Sequence, residues 1–326
     1  MIPKDLQGIR KLYLGFTGAR VLLTANSLGI FEHLERPCSA RELSGMLDTD
    51  SRATEIVLDA LSGIGLLKKN RNGKYLNTRV SRRYLVRSSP CYQGDIIRHA
   101  SSMWENFSSL DIVLRTGHPS RQVTRTHDTH KAFIMGMHNL SLLRAGALAR
   151  AIGLKHVKTM LDLGGGPGTH AIEMAKRGIE ATVFDLPDTI IIAKKVARRE
   201  KVRGIHFIAG DFQVDDIGSG YDLILVSQIF HAFSEEENLA LLHKCRRALN
   251  PGGRIAVHEF PIDQSRTSPV HSALFSVNML VSTEHGRCYT PHEMKQWLRN
   301  TGFHDVVAKH LPETVLLLGS IRESGT

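Results

Sequence analysis

Between residues 4 and 35, apolar side chains recur at Leu12, Leu14, Phe16, Val21, Leu22, Ala25, Leu28, Ile30 and Phe31. The mixed spacing of three and four predicts helix, and Pro37 breaks it. Ser39, followed three residues on by Glu42, predicts a capped helix carrying Leu43 and Met46. After a turn at Asp48–Asp50, Ala53, Ile56, Val57, Ala60, Leu61 and Ile64 predict a longer one. Lys68–Leu76 reads as a hairpin with Asn72-Gly73 at its turn. Helix, helix, hairpin is the order of a winged helix-turn-helix. The helical period returns from about 92 to 155. Trp104, Phe107, Leu110, Ile112, Val113 and Leu114 predict one apolar stripe that ends at Gly117-His118-Pro119. Phe133–His138 and then Leu140, Leu142, Leu143, Ala147 and Leu148 predict another.

From residue 156 the pattern changes to strands alternating with helices, which argues a parallel sheet. The strands centre on 159–163, 181–185, 205–209, 221–227 and 254–259. Two of the helices carry start signals: Ser234 with Glu237, and Thr290 with Pro291 and Glu293. At the end, His304–His310 and Thr314–Gly319 are joined only by Leu311-Pro312-Glu313, with no room for a crossover helix. The expected fold is α/β: a doubly wound, Rossmann-like sheet closed by an antiparallel hairpin and preceded by a helical winged-helix domain. The expected boundaries are 1–100, a helical linker 101–155, and 156–326.

Charge changes this picture little. The chain of 326 residues carries a formal net charge of +10. Residues 1–90 hold 15 Lys and Arg against 8 Asp and Glu, so +7 of the excess lies in the first module. A DNA reader would be basic there. Yet the helix from Ser51 offers only Arg52, beside Glu55 and Asp59, and phosphates repel those acids. No run of about 18 apolar residues suggests a membrane span, and Lys4, Asp5 and Arg10 precede no signal-peptide core. Cys38, Cys91, Cys245 and Cys288 are far apart, without metal spacing, as reduced cytoplasmic thiols would be. Glu323–Thr326 reads as a tail.

The chemistry concentrates at Met160–His170, Met-Leu-Asp-Leu-Gly-Gly-Gly-Pro-Gly-Thr-His. A buried strand runs into Gly164, Gly165, Gly166 and Gly168, and a helix follows. Glycines allow the tight turn and let a ligand approach the backbone. A second landmark is Val183-Phe184-Asp185-Leu186-Pro187, where a strand-end carboxylate suits ribose hydroxyls. Ala209-Gly210-Asp211-Phe212 is the third, an acid and an aromatic suited to an adenine. No Walker Lys-Ser or Lys-Thr follows the glycines, and no basic residue stands close enough for a pyrophosphate. An adenosine without phosphate fits better, and S-adenosylmethionine is such a ligand. The plain alternative is a bare strand-to-helix turn.

With Leu161–Gly168, Asp185-Leu186-Pro187, Gly210-Asp211-Phe212, Ile229–Glu236 and Asn250-Pro251-Gly252-Gly253 in this order, the chain resembles the class I S-adenosylmethionine-dependent O-methyltransferases. It looks most like the dimeric small-molecule branch that includes plant phenolic, acetylserotonin and bacterial polyketide or carotenoid enzymes. The resemblance spans nearly the whole chain. It implies S-adenosylmethionine as methyl donor, held by Asp162, Gly164, Gly165, Gly166, Gly168, Asp185, Leu186, Gly210, Asp211, Phe212, Ser227 and Gln228. It implies a homodimer built through the first module, and an acceptor pocket lined by Phe133, Met137, Phe230, Asn278 and Met279. His231 follows the strand Tyr221–Val226, where open sheets bind ligands, and matches the family's general base. Histidine suits removal of a proton from a phenol of pKa about 10 near neutral pH.

Departures from the family pattern are specific. Phe233 replaces a tryptophan, and Ser227 and Gln228 stand where plant relatives often carry a lysine. Of the two acids that flank the base, Glu259 is kept; the other position is Cys288, with Glu284 the nearby substitute. No Asp and Asn cluster for magnesium is found, so metal independence is expected. Two other readings stay open here. One is C- or N-methyl transfer on the same scaffold; the other is a winged-helix DNA-binding regulator that senses an adenosine ligand.

Overall fold

The computed structural model describes residues 3–120 and 126–322, so the tail at 323–326 lies outside the described residues. The chain divides into two compact units, Met1–Ser102 and Met103–Thr326.

The first unit begins with α1 (Leu6–Ser27), started by Asp5, whose carboxylate accepts from Gly8 N. A short 3-10 turn follows at Ile30–His33. The expected capping box of Ser39 and Glu42 starts α2 (Ala40–Leu47), and Asp50 caps α3 (Ser51–Gly63). The hairpin is β1 (Leu67–Lys69) with β2 (Tyr75–Asn77), followed by α4 (Arg79–Tyr84). Phe31, Leu34, Leu43, Leu58, Leu61 and Tyr75 fill the core between these elements. Asn72-Gly73 lies in the turn of this hairpin, as expected. Lys69 pairs with Tyr75, Gly73 N donates to Asn70 O at 3.1 Å, and Gly73 alone takes a positive φ of 73°. A type I turn with a glycine bulge therefore closes a three-residue loop, because the Asn70 N–Lys74 O pair at 2.8 Å fixes the register.

Two lysines of this basic hairpin are spent inside the unit. Lys69 lies 2.9 Å from Asp59 and 3.6 Å from Glu55 of α3, and Lys74 lies 3.2 Å from Glu42. A DNA-reading wing would keep such cations for phosphates.

Three further helices precede the sheet after α5 (Gly94–Phe107): α6 (Leu110–Thr116), α7 (His127–Leu142) and α8 (Ala145–Ile152). The single stripe expected over 104–114 is two helices. The break at Ser108-Ser109 rotates the register, so Val113 is buried while Ile112 and Leu114 face outward.

The sheet of the second unit is built from β3 (Thr159–Leu163), α9 (Thr169–Ala175), β4 (Glu180–Asp185), α10 (Pro187–Glu200), β5 (Ile205–Ala209) and β6 (Tyr221–Ser227). Then come α11 (Glu235–Ala248), β7 (Leu249–Glu259), α12 (Val270–Ser282), α13 (Pro291–Asn300), β8 (His304–Leu311) and β9 (Thr314–Ser320). Strand order is β5-β4-β3-β6-β7-β9-β8. The first five run parallel, and β9 is antiparallel to both neighbours. The chain winds outward in opposite directions from β3 and β6, which puts the binding crevice at the carboxyl ends of these two strands.

Both faces of the sheet are covered, so its strands are apolar on both sides. Leu161, Leu163, Ile224, Val226, Ile255 and Val257 join one core with Trp297, while Met160, Leu223, Leu225 and Ala256 join the other with Met174. Among the described residues no helix is long and apolar enough to cross a membrane.

Candidate active site

Three strand ends meet at the crevice. After β3, Gly164, Gly166 and Gly168 adopt positive φ of 63°, 56° and 73°, which only glycine takes without strain. Gly165 is needed for space instead: a Cβ there would lie 2.9 Å from the Asp162 carbonyl oxygen. Gly164 N donates to Phe184 O at 2.9 Å, and Gly166 N to the Asp185 carboxylate at 2.8 Å. The glycine loop is thus tied to the end of β4. Asp185 also accepts from Leu186 N at 2.7 Å, and burial raises its pKa. Leu186 is exposed.

At the end of β5, Gly210 N donates to Asp185 O at 3.0 Å, and a Cβ on Gly210 would meet the Phe184 ring. Asp211 is exposed and accepts from Gln213 N. The Phe212 ring stands edge-on to Phe233, with centroids 5.7 Å apart, and borders Gly164. A backbone cradle of glycines, a strand-end acid and a half-buried aromatic shelf fit an adenosine ligand.

Asp162 is buried and accepts from Ala171 N at 3.2 Å; burial, with Asp185 nearby, pushes its pKa up to about 7. Behind it lies a polar layer. His258 sits between the Ser227 and Thr314 hydroxyls, each 3.0 Å away, and edge-on to His170. The Ser227 hydroxyl is therefore committed to His258, and Gln228, at φ 57°, donates its N–H to His258 O.

Burial pushes His170 down to about 3 and His258 to about 4, from an ordinary 6.5. The unfolded chain takes up these protons first as pH falls, so their stability contribution is full above about 6.5 and lost as pH falls below it. Asp162 acts oppositely: its raised pKa favours the folded state as pH falls from about 7 towards 4. Asp162→Asn removes that offset. Melting temperature measured from pH 7 to 4.5 should fall more steeply in the variant than in the wild type, and parallel curves would refute the assignment.

His231 lies in a 3-10 turn at Phe230–Ala232, just past β6. Its Nδ1 is 2.8 Å from Glu259 Oε2, at the end of β7, and its side chain keeps 12% exposure. Glu259 is itself held by the backbone N–H of His231 at 3.4 Å and of Phe260 at 3.1 Å. Phe275, on α12, stands edge-on to the imidazole at 4.9 Å, and Phe260 stacks beside it at 6.2 Å. Sequence reasoning missed both rings: Phe275 is 44 positions from His231, and no spacing links α12 to that histidine.

Other expectations need correction. Glu284 does not replace the second acid: it is exposed and lies 3.1 Å from His118 Nδ1. Cys288 is buried beside Glu259, with its backbone N–H on the Ser276 hydroxyl at 3.0 Å. Burial pushes its thiol up to about 11, so it stays neutral and Glu259 is the acid bonded to His231. Phe230 is fully buried against Trp297, 5.9 Å between rings, which removes it from the acceptor lining. Asn278 and Met279 are buried on α12, and Asn278 Oδ1 has no hydrogen-bond partner among the described residues. Phe133 and Met137 are half-buried on α7. Among the described residues no three His, Cys, Asp or Glu side chains are grouped to hold a metal ion.

The family model of the O-methyltransferase domain matches residues 116–304, more than half of the chain. The chain belongs to the O-methyltransferase family. A second model, the O-methyltransferase dimerisation domain, matches residues 11–87. The chain is 33% identical to 3-hydroxy-5-methyl-1-naphthoate 3-O-methyltransferase of Streptomyces sahachiroi over 90% of this chain and 88% of that one. It is 31% identical to acetylserotonin O-methyltransferase of Bos taurus over 90% of each. Human N-acetylserotonin methyltransferase in complex with S-adenosylmethionine superposes with a TM-score of 0.89 at 26% identity, covering 99% of this chain and 100% of that chain. The protein is an S-adenosylmethionine-dependent O-methyltransferase, and the crevice just described has the residues for that cofactor.

Proposed function

We propose that this enzyme methylates a hydroxyl on a flat aromatic or conjugated small molecule, with His231 as general base. The observation that carries the reading is the 2.8 Å His231–Glu259 pair, walled by Phe260 and Phe275. When bound, S-adenosylmethionine supplies a methyl group already activated for displacement. The protein's task is to align the acceptor and remove its proton. With Nδ1–H donated to Glu259, Nε2 is left to accept the hydroxyl proton, and the carboxylate then stabilises the imidazolium. Asp185 takes the ribose hydroxyls, Asp211 and Phe212 the adenine, and the Cβ-free turn Gly164–Gly166, whose amides are already bonded to Phe184 O and Asp185, leaves room for the amino-acid end. Asp162, Gly168, Leu186, Gly210, Ser227 and Gln228 shape that pocket. Phe133, Met137, Asn278 and Met279 line the acceptor side.

The working form is a cytoplasmic homodimer. All four cysteines are free thiols. Leu6, Ile9, Leu12, Tyr13, Leu14 and Phe16 are each about half exposed or more along α1, an apolar face that a second copy would cover.

The test is transfer of labelled methyl from S-adenosylmethionine to phenols, hydroxynaphthoates and catechols. A labelled methyl ether made by the wild type and lost in His231→Ala supports the reading. Label delivered to carbon or nitrogen instead would overturn the hydroxyl assignment.

A further inference from the structure

We propose that α7 is a strap that sets the relative position of the two cofactor loops, with His130 and His138 as positioning residues for S-adenosylmethionine. The inference rests on the placement of the cofactor at Gly164–Gly168 and Asp185. Residues four apart share a helix face, so His130, Ile134 and His138 form one row along α7, roughly 12 Å long.

Each member of the row meets a different part of the cofactor edge. His130 Nε2 is 3.3 Å from the hydroxyl of Thr189, in the first turn of α10. Thr189 and His130 both act to lower the Asp185 pKa against the effect of burial, so the strap is coupled to the ribose acid. His138 Nδ1 is 2.8 Å from the hydroxyl of Thr169, the residue that follows Gly168 and opens α9. Between them Ile134 is buried with Ile172 of α9 and with Ile192, Val196 and Ala197 of α10. Thr169 and Thr189 are themselves buried, and an unpartnered hydroxyl there would be costly.

The strap therefore grips the helix behind each loop: α9 behind the glycines and α10 behind Asp185. Inside the crevice the same two loops are joined only through backbone donors of the glycine turn, Gly164 N and Gly165 N to Phe184 O and Gly166 N to the Asp185 side chain. A cofactor that spans both needs their separation held, because a small misplacement of preorganised groups weakens binding strongly. None of the strap residues is asked to touch the cofactor.

The experiment is calorimetric binding of S-adenosylhomocysteine to His130→Leu, His138→Leu, the double variant, His138→Asn and Asp185→Ala, with melting temperature recorded for each apo protein. S-adenosylhomocysteine needs no acceptor, so the readout is independent of the acceptor reading. Each leucine variant should raise Kd by about tenfold, with kcat at saturating cofactor within about twofold of wild type. His138→Asn, which keeps a polar partner for Thr169, should recover much of the loss. The double variant should depart from the sum of the singles, as expected when two contacts hold one rigid element. Lowered melting temperature with unchanged Kd in both leucine variants, while Asp185→Ala loses binding, overturns the strap alone. Unchanged Kd in Asp185→Ala overturns the cofactor placement and the strap with it.

Discussion

His231→Ala should lower kcat by about 10²–10⁴-fold while cofactor affinity stays within about twofold. The loss follows from where the imidazole stands. Its Nδ1 is tied to a carboxylate whose side chain is only 3% exposed, so Nε2 is aimed by a fixed partner rather than by a free rotor. Removing the ring leaves Glu259 with two backbone N–H donors, at 3.4 Å and 3.1 Å, and a modest fall in melting temperature should accompany the loss. Two controls separate a missing base from a damaged site. At pH near the phenol's own pKa of about 10 the acceptor ionises unaided, so the deficit should shrink as pH rises. Glu259→Gln should also lose activity, because an amide that donates to Nδ1 leaves the proton on Nε2, the wrong tautomer for a base. Full turnover in His231→Ala, with product still on oxygen, would remove the histidine from the mechanism.

The parts of this site that the sequence disclosed are those set by local chemistry. Strand, glycine turn and helix must follow one another at Met160–Ala175, because three positive φ angles and one backbone clash leave few alternatives to glycine. The short Leu311-Pro312-Glu313 link likewise leaves only antiparallel pairing for the last two strands. What stayed hidden depends on packing between distant elements. Glu284 is the acid nearest to Cys288 in sequence, yet the turn from Thr283 to Gly286 sends it to the surface. Phe230, next to His231, reads as pocket lining in the sequence; the 3-10 turn instead points its ring into the Trp297 core. The Asn72-Gly73 pair was legible, but which turn it makes is decided by the pairing of Lys69 with Tyr75. The rows of α7 carried no signal until α9 and α10 were laid beside them.

Gly286→Ala should be strongly damaging although it removes no functional group. A Cβ at this position would overlap the His231 carbonyl oxygen and the Thr283 hydroxyl, and would lie 3.1 Å from Ala232 Cα. Two of those three neighbours are backbone of the turn that carries His231, so no rotamer change relieves the overlap. The loop cannot simply back away either. Gly286 N donates to Thr283 Oγ1 at 3.0 Å, Thr283 Oγ1 donates to Met279 O at 2.8 Å, and the Tyr289 hydroxyl holds Phe233 O at 2.6 Å. The strain must then move the His231 turn, and a base displaced by about 1 Å costs up to about 10²-fold in rate. A fall in kcat of about 10–100-fold is expected, with cofactor Kd nearly unchanged because the glycine loop is untouched, and overpacking costing about 1–3 kcal/mol of stability. Gly45→Ala is the matched control: it lies in α2 with nothing within 4 Å of the new Cβ, so activity and stability should hold. Wild-type kcat in Gly286→Ala would mean that the turn yields without moving the imidazole. The 2.8 Å His231–Glu259 pair would then tolerate displacement of its own backbone, and the rate would not depend on a fixed base position.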